Sequence, residues 1–273
     1  KRSFLRATGV VAAITGLSRF LGLIRDSVVG AGLGASRVND VFQIAFELPN
    51  LARRVLGEGA LSAFIVPLFG AERREHGEKA GWLYASNALT AVTLLSAILT
   101  ILGCFFAKPL FLLFGGFGML ARGGQEDAVL LGAALTRIMY PYLMFLAMSA
   151  LLMGLCHTVK RFAAPAFGSV MINITMIAAI GLYWLFHRDQ YAASRADPAA
   201  AEAMQIQMAY WLSYAVLAGI LARLLLHFPS LWAEGFRYRP HLDLKQKRLR
   251  QLFAKMPMAL ADMAVAQLNI SID

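Results

Sequence analysis

Apolar and polar positions alternate along this chain in long blocks: extended apolar runs are separated by short polar connections. The runs occupy residues 5–33, 40–69, 80–106, 128–155, 164–186 and 204–226; a basic segment follows at 229–255, and another apolar run starts at 256. A helix needs about 20 predominantly apolar residues to cross a bilayer. The pattern therefore predicts an all-α, polytopic transmembrane helical bundle with six complete spans and the start of a seventh. It divides the chain into an N-terminal lobe of six helices (1–228), a basic amphipathic linker helix (229–255) and the beginning of a further lobe (256–273). The last run reaches Asp273 with no anchor after it, so the sequence reads as the first part of a longer protein.

Two runs carry internal punctuation. The second is interrupted by "ELPNLARRVLGEG" at 47–59. Pro49 has no N–H to donate and its ring crowds the preceding turn, so a broken or kinked helix is expected there. The fourth contains Arg137 and Pro141. In the linker, "LDLKQKRLRQLFAK" (242–255) sets Leu242, Leu249, Leu252 and Phe253 against a basic face, the pattern of a helix lying on a membrane surface.

Composition strengthens the membrane reading. Of 273 residues, 59% are hydrophobic and 15% charged, against about 25% charged in soluble domains. The net charge of +10 raises nucleic acid as a partner. The Lys and Arg lie mainly in short connections, however, which leaves no soluble face for a basic patch, and no nucleic-acid partner is expected. Lys1, Arg2 and Arg6, then Arg73, Arg74 and Lys79, then Lys160 and Arg161, then seven Lys/Arg in 229–255 all fall on one side of a six-span arrangement. The opposite connections hold only Arg37, Lys108, Arg122, Arg188 and Arg195. The positive-inside rule puts the N-terminus in the cytoplasm. Cys104 and Cys156 sit inside apolar runs as small core residues, without the spacing of a metal or redox motif.

Charge inside the apolar runs is the chemical signal. An ionised side chain at the middle of a membrane helix costs about 2.5–3.5 kcal/mol on insertion scales. Even so, Arg19, Arg25 and Asp26 lie in the first run, and Glu47, Arg53, Arg54 and Glu58 lie in the second. Arg19 and Asp26 are seven residues apart and share a face. Four arginines against three carboxylates leave one positive charge in excess. An internal ion-pair network, Arg25 with Glu58 and Arg54 with Glu47 or Asp26, would still leave that charge unpaired; an anion-binding cavity uses it. Arginine suits phosphate because its planar fork makes bidentate contacts. Arg137 either lines the cavity or reaches for the surface. Asn173 and Thr175 fit interhelical hydrogen bonds, and His157 and His187 lie at membrane edges without ligand spacing. Asp262, Gln267, Asn269 and Asp273 form a polar face of the last run, with the oxygen groups a hard cation could use. No HExxH, GxSxG or phosphate-loop motif occurs, so the chain is expected to move something and not to act as an enzyme.

The segments "LSRFLGLIRDSVVGAGLGAS", "NDVFQIAFELPNLARRVLGEGALSAFIVPLF" and "AQLNISID" resemble the N-terminal half of the MurJ/MviN family, lipid II flippases of the multidrug/oligosaccharidyl-lipid/polysaccharide (MOP) exporter superfamily. The likeness runs the length of the chain and is most specific at 17–67. It implies two lobes of helices, a bacterial inner-membrane location and a role in peptidoglycan biosynthesis, hence in the cell wall and cell shape. The implied activity is transfer of the undecaprenyl-pyrophosphate-linked head group of lipid II from the cytoplasmic to the outer leaflet by alternating access. The positions matching the family's substrate-binding cavity are Arg19, Arg25, Asp26, Arg53 and Arg54. Asp40 also matches a family position near the outer end, and Glu47, Glu58 and Arg137 are further cavity or gate candidates. Implied partners are lipid II, membrane lipids and a C-terminal lobe of the same protein. No cofactor is expected. Asp273 falls where some relatives carry a carboxylate proposed to bind Na⁺ and others an amide, which leaves coupling open between Na⁺ and the membrane potential. The alternative within the superfamily is a cation-coupled exporter of another lipid-linked oligosaccharide or of a drug; an excess of positive charge in the cavity disfavours a cationic drug.

Overall fold

Long apolar runs without strand-like alternation satisfy their backbone groups internally only as helices, and helices are what the chain forms. The structure, a computed structural model, describes residues 2–55, 61–116, 118, 126–190 and 197–254. Among these there is no strand. The helices are α1 (Arg2–Leu33), α2 (Arg37–Val55), α3 (Leu61–His76), α4 (Glu78–Phe105), the short α5 (Ala107–Phe111), α6 (Glu126–Met139), α7 (Tyr142–Thr158), α8 (Ala163–Phe186), α9 (Pro198–Leu225) and α10 (His227–Trp232). A last helical stretch, α11, covers residues 247–254. Four helical stretches among the described residues are long and apolar enough to cross a bilayer: Glu78–Phe105, Glu126–Thr158, Ala163–Phe186 and Pro198–Trp232.

Local chemistry explains the boundaries. Ser36 caps α2: its Oγ accepts the Asn39 N–H at 3.2 Å. Asp197 caps α9 by accepting the Ala199 N–H at 3.0 Å, and Pro198 follows at the first helical position, where its missing N–H costs nothing. The second apolar run carries α2 and α3, and helix is not interrupted at Pro49. That residue lies inside α2, and helix continues to Val55. The fourth run divides at Tyr140–Pro141, between α6 and α7. The charged stretch 71–79 is helical apart from Gly77, whose φ of +88° turns the chain between α3 and α4.

α7 and α10 end in the same way. After α10, the Phe236 N–H reaches the Leu231 carbonyl (3.0 Å) and the Gly235 N–H the Trp232 carbonyl (3.1 Å), with Gly235 at φ +89°. After α7, the Arg161 N–H reaches Cys156 O (2.8 Å) and the Lys160 N–H reaches His157 O (3.1 Å). Both are Schellman closures. The second puts Lys160 at φ 60°, a left-handed position that glycine occupies with less strain.

The chain forms two compact units. The first comprises residues 1–50, 100–142 and 166–223. Within it α8 and α9 pack closely because Gly219 has no side chain: a Cβ there would lie 2.7 Å from Ile172 Cα and 2.5 Å from Thr175 Oγ1. Gly132 on α6 likewise leaves room for the Phe111 ring. At the N-terminal ends of α2 and α9, Arg37 pairs with Glu202 at 2.6 Å.

The second unit comprises residues 51–99, 143–165 and 224–273. Its core joins Leu61, Ile65 and Phe69 of α3, Tyr84 and Leu89 of α4, Leu151 and Leu155 of α7, and Leu249 and Leu252 of α11. The expected membrane-surface face of the linker is thus largely spoken for. Leu249 and Leu252 are buried, Phe253 packs against the same cluster, and only Leu242 is exposed. Helix occupies 247–254, and the residues before it run as an irregular strap along α4.

Candidate functional site

α1 carries the charged residues of the first apolar run on 32 residues of continuous helix, about 48 Å at 1.5 Å per residue. Arg25 is the best-defined of them. Its Nε and Nη2 both donate to Oδ1 of Asp26, at 2.9 and 2.8 Å, and its Nη1 donates to Oδ1 of Asn173 on α8 at 3.0 Å. The guanidinium side chain keeps 23% of its surface exposed and the Asp26 side chain 67%. Asn173, only 6% exposed, also donates from Nδ2 to the main-chain carbonyl of Ser18 at 2.9 Å. Two turns before Arg25, Ser18 Oγ reaches the Ser169 carbonyl at 3.1 Å. These contacts fasten α1 to α8 along one face.

Arg19 is exposed and has no ion-pair partner among the described residues. The α1 segment therefore holds one carboxylate already engaged by Arg25 and a second arginine open to solvent or ligand.

The other candidates fall in several places. Asp40 is exposed in the first turn of α2, where the positive end of the helix dipole favours a carboxylate. Glu47 is half-buried farther along the same helix. Arg53 and Arg54 belong to the last turn of α2, but their side chains lie outside the described residues, as do Glu58 and Asp273 entirely. Arg137 is engaged at the end of another helix. Its Nε donates to the Cys104 carbonyl at 3.2 Å, one of the last carbonyls of α4, which a helix leaves without an internal partner. In return, Cys104 Sγ lies 3.5 Å from the Arg137 carbonyl. Arg137 thus closes the end of α4.

Sequence reasoning placed Asn173 in an interhelical hydrogen bond without finding its partner. No local signal could name it, since Arg25 is 148 residues away. The fastening of the linker was missed for the same reason. Asn87, Ser86 and Thr90 of α4 bind Asp243, Arg239 and Tyr238, and Arg248 of α11 pairs with both Glu72 and Glu75 of α3. The Arg248 hydrogen bond to Glu75, 2.5 Å long, holds that carboxyl below the usual carboxylate range. Among the described residues no cluster of His, Cys, Asp and Glu is arranged to hold a metal ion.

Comparison with known proteins places this chain in a family. The model of the family described as "Lipid II flippase MurJ" matches residues 29–273. The lipid II flippase MurJ of Burkholderia cenocepacia is 30% identical over 99% of this chain and 49% of its own length. The probable lipid II flippase MurJ of Vibrio cholerae is 30% identical over 100% of this chain and 49% of its own. A solved structure titled "Lipid II flippase MurJ, inward closed conformation" superposes with a TM-score of 0.65 at 22% identity, covering 95% of this chain and 48% of that one, a likeness of fold. The chain spans about half the length of the curated relatives it matches. With a family model matching nearly nine-tenths of its residues, the chain belongs to the lipid II flippase MurJ family.

Proposed function

We propose that the protein to which this chain belongs is a lipid II flippase of the bacterial inner membrane. It would carry the undecaprenyl-pyrophosphate-linked head group from the cytoplasmic to the outer leaflet by alternating access. One observation carries the reading at the level of residues: in a chain of this family, α1 holds Arg25 with its guanidinium half-engaged, and Arg19 exposed beyond it. Arg19 and Arg25 then supply charge and donors to the diphosphate, while Asp26 occupies Arg25 when no anion is bound. Arg53 and Arg54 enter this reading only through their match to the family's positions. The work is transport; binding and release of the head group replace any bond chemistry. The N-terminus is cytoplasmic in this reading, supported by the Lys/Arg-rich connections on that side. Coupling to Na⁺ or to the membrane potential completes the cycle.

The test is complementation of a strain depleted of its own lipid II flippase, using the intact protein with and without Arg25→Ala. Rescue by the parent and failure of an equally expressed variant are the expected results. A well-expressed parent that does not rescue would remove the assignment. A variant that loses expression in proportion to activity would return Arg25 to a purely structural role.

A further inference from the structure

Arg25 has five N–H donors. Two point to Asp26 Oδ1 and one to Asn173 Oδ1, which leaves one N–H on each of Nη1 and Nη2 for a ligand. The contact to Asp26 comes from a neighbouring, largely exposed side chain. The contact to Asn173 is different in kind. Asn173 sits on another helix, is buried, and is itself held by the Ser18 carbonyl two turns below Arg25 on α1. Its amide is therefore fixed at both ends, and it presents an immobile acceptor to a long, flexible cation.

We propose that Asn173 is a positioning residue for Arg25: it fixes the guanidinium so that the two remaining N–H groups meet an incoming diphosphate in a set orientation. The inference rests on the reading of Arg25 as a diphosphate ligand. An anion that meets a guanidinium already ordered does not have to bear the cost of ordering it. The Asn173 acceptor is neutral, so it orients Arg25 without cancelling the charge that attracts the anion. Asp26, by contrast, is exposed and can move aside.

The experiment measures binding of undecaprenyl diphosphate, and in parallel inorganic pyrophosphate, to the intact protein in detergent, for the parent, Asn173→Ala, Arg25→Ala and the double variant. Asn173→Ala is expected to weaken undecaprenyl diphosphate binding about tenfold in the parent and to have no further effect once Arg25 is alanine. An equal loss in both backgrounds would mean that Asn173 only packs α1 against α8, and would overturn the proposal. Binding unchanged by Asn173→Ala while Arg25→Ala abolishes it would also overturn it and leave the proposed function intact. Parent-like binding by Arg25→Ala would remove the reading of Arg25 itself, and this inference with it. Should Asn173→Ala fail to fold, Asn173→Asp keeps an acceptor for Arg25 and adds a charge that competes with the anion. It is expected to fold and to bind at least tenfold more weakly, and parent-like affinity in that variant would overturn the proposal.

Discussion

Asn87 holds the main chain of Asp243 at both its polar groups: its Oδ1 accepts the Asp243 N–H at 2.8 Å and its Nδ2 donates to the Asp243 carbonyl at 3.0 Å. The same Nδ2 reaches Gln246 Oε1 at 2.6 Å. A side-chain amide here does what a neighbouring strand would do for an irregular segment, and Asn87 is only 1% exposed. Around it, Tyr238 meets Thr90 at 3.1 Å, and the Phe236 ring packs on Trp82. The segment after α10 is thereby built into the second unit.

Loss of that amide should loosen the segment. Asn87→Ala is expected to cost about 2–3 kcal/mol, because it removes buried hydrogen bonds and leaves the Asp243 N–H without its partner. Thermal unfolding in detergent measures the loss, and limited proteolysis should locate new cleavage at residues 238–246. Stability and cleavage unchanged from the parent would show that the strap is held by its apolar contacts alone.

The pairing of Arg248 with Glu75 predicts a dependence on pH. The folded-state pKa of Glu75 lies below its ordinary value because Arg248 hydrogen-bonds to the charged carboxylate. Its contribution is therefore complete above the unfolded carboxylate pKa and is lost as pH falls through the lower folded value. A thermal-stability profile from pH 7 to pH 3 should show a decline at its acid end that Glu75→Gln makes shallower. Glu75 is well exposed and the effect will be small, so it is read as a difference between parent and variant.

Lys160 and Gly235 close two helices with the same pair of hydrogen bonds, yet only one of them is glycine. Lys160→Gly should relieve left-handed strain and, after the added flexibility of the unfolded chain is deducted, raise stability by about 0.5–1 kcal/mol. A higher melting temperature with unchanged transport is the expected outcome. A lower one would show that the Lys160 side chain makes a contribution larger than the strain.

Arg137 and Arg25 should separate in their behaviour. Arg137 donates to a carbonyl at the end of α4, so Arg137→Ala is expected to cost about 1 kcal/mol of stability and leave transport per folded molecule close to the parent's. Arg25→Ala should do the reverse. Flippase activity normalised to folded protein is the measurement. A collapse of activity in a stable Arg137→Ala would place that side chain in the cavity instead.

Helix positions were largely legible in the sequence, because an apolar run in lipid has one way of satisfying its backbone and because its ends carry residues with local reasons to be there. Asp197–Pro198 opens α9 and Gly235 closes α10 by chemistry that needs no partner elsewhere. Of the break or kink expected at Pro49, the break does not form: a proline's local cost can be absorbed when neighbouring groups support the helix, and α2 runs through it to Val55. The linker's leucines illustrate the same limit. An apolar stripe beside a basic one fits a membrane surface or a protein core equally well, and the presence of α3, α4 and α7 decided for the core.

The sequence by itself determined that this is a helical membrane protein of the MurJ family with arginines set into its first two apolar runs, since hydropathy, loop charge and the Arg-containing motifs are written in consecutive residues. Only the tertiary structure decided that Arg25 is shared between Asp26 and Asn173, that Arg137 closes α4, and that Arg248 ties α11 to α3. Those pairings join residues up to 173 positions apart. They depend on the register in which helices settle against one another, a register set by the sum of close contacts at positions such as Gly219 and Gly132, and no single stretch of sequence contains that sum.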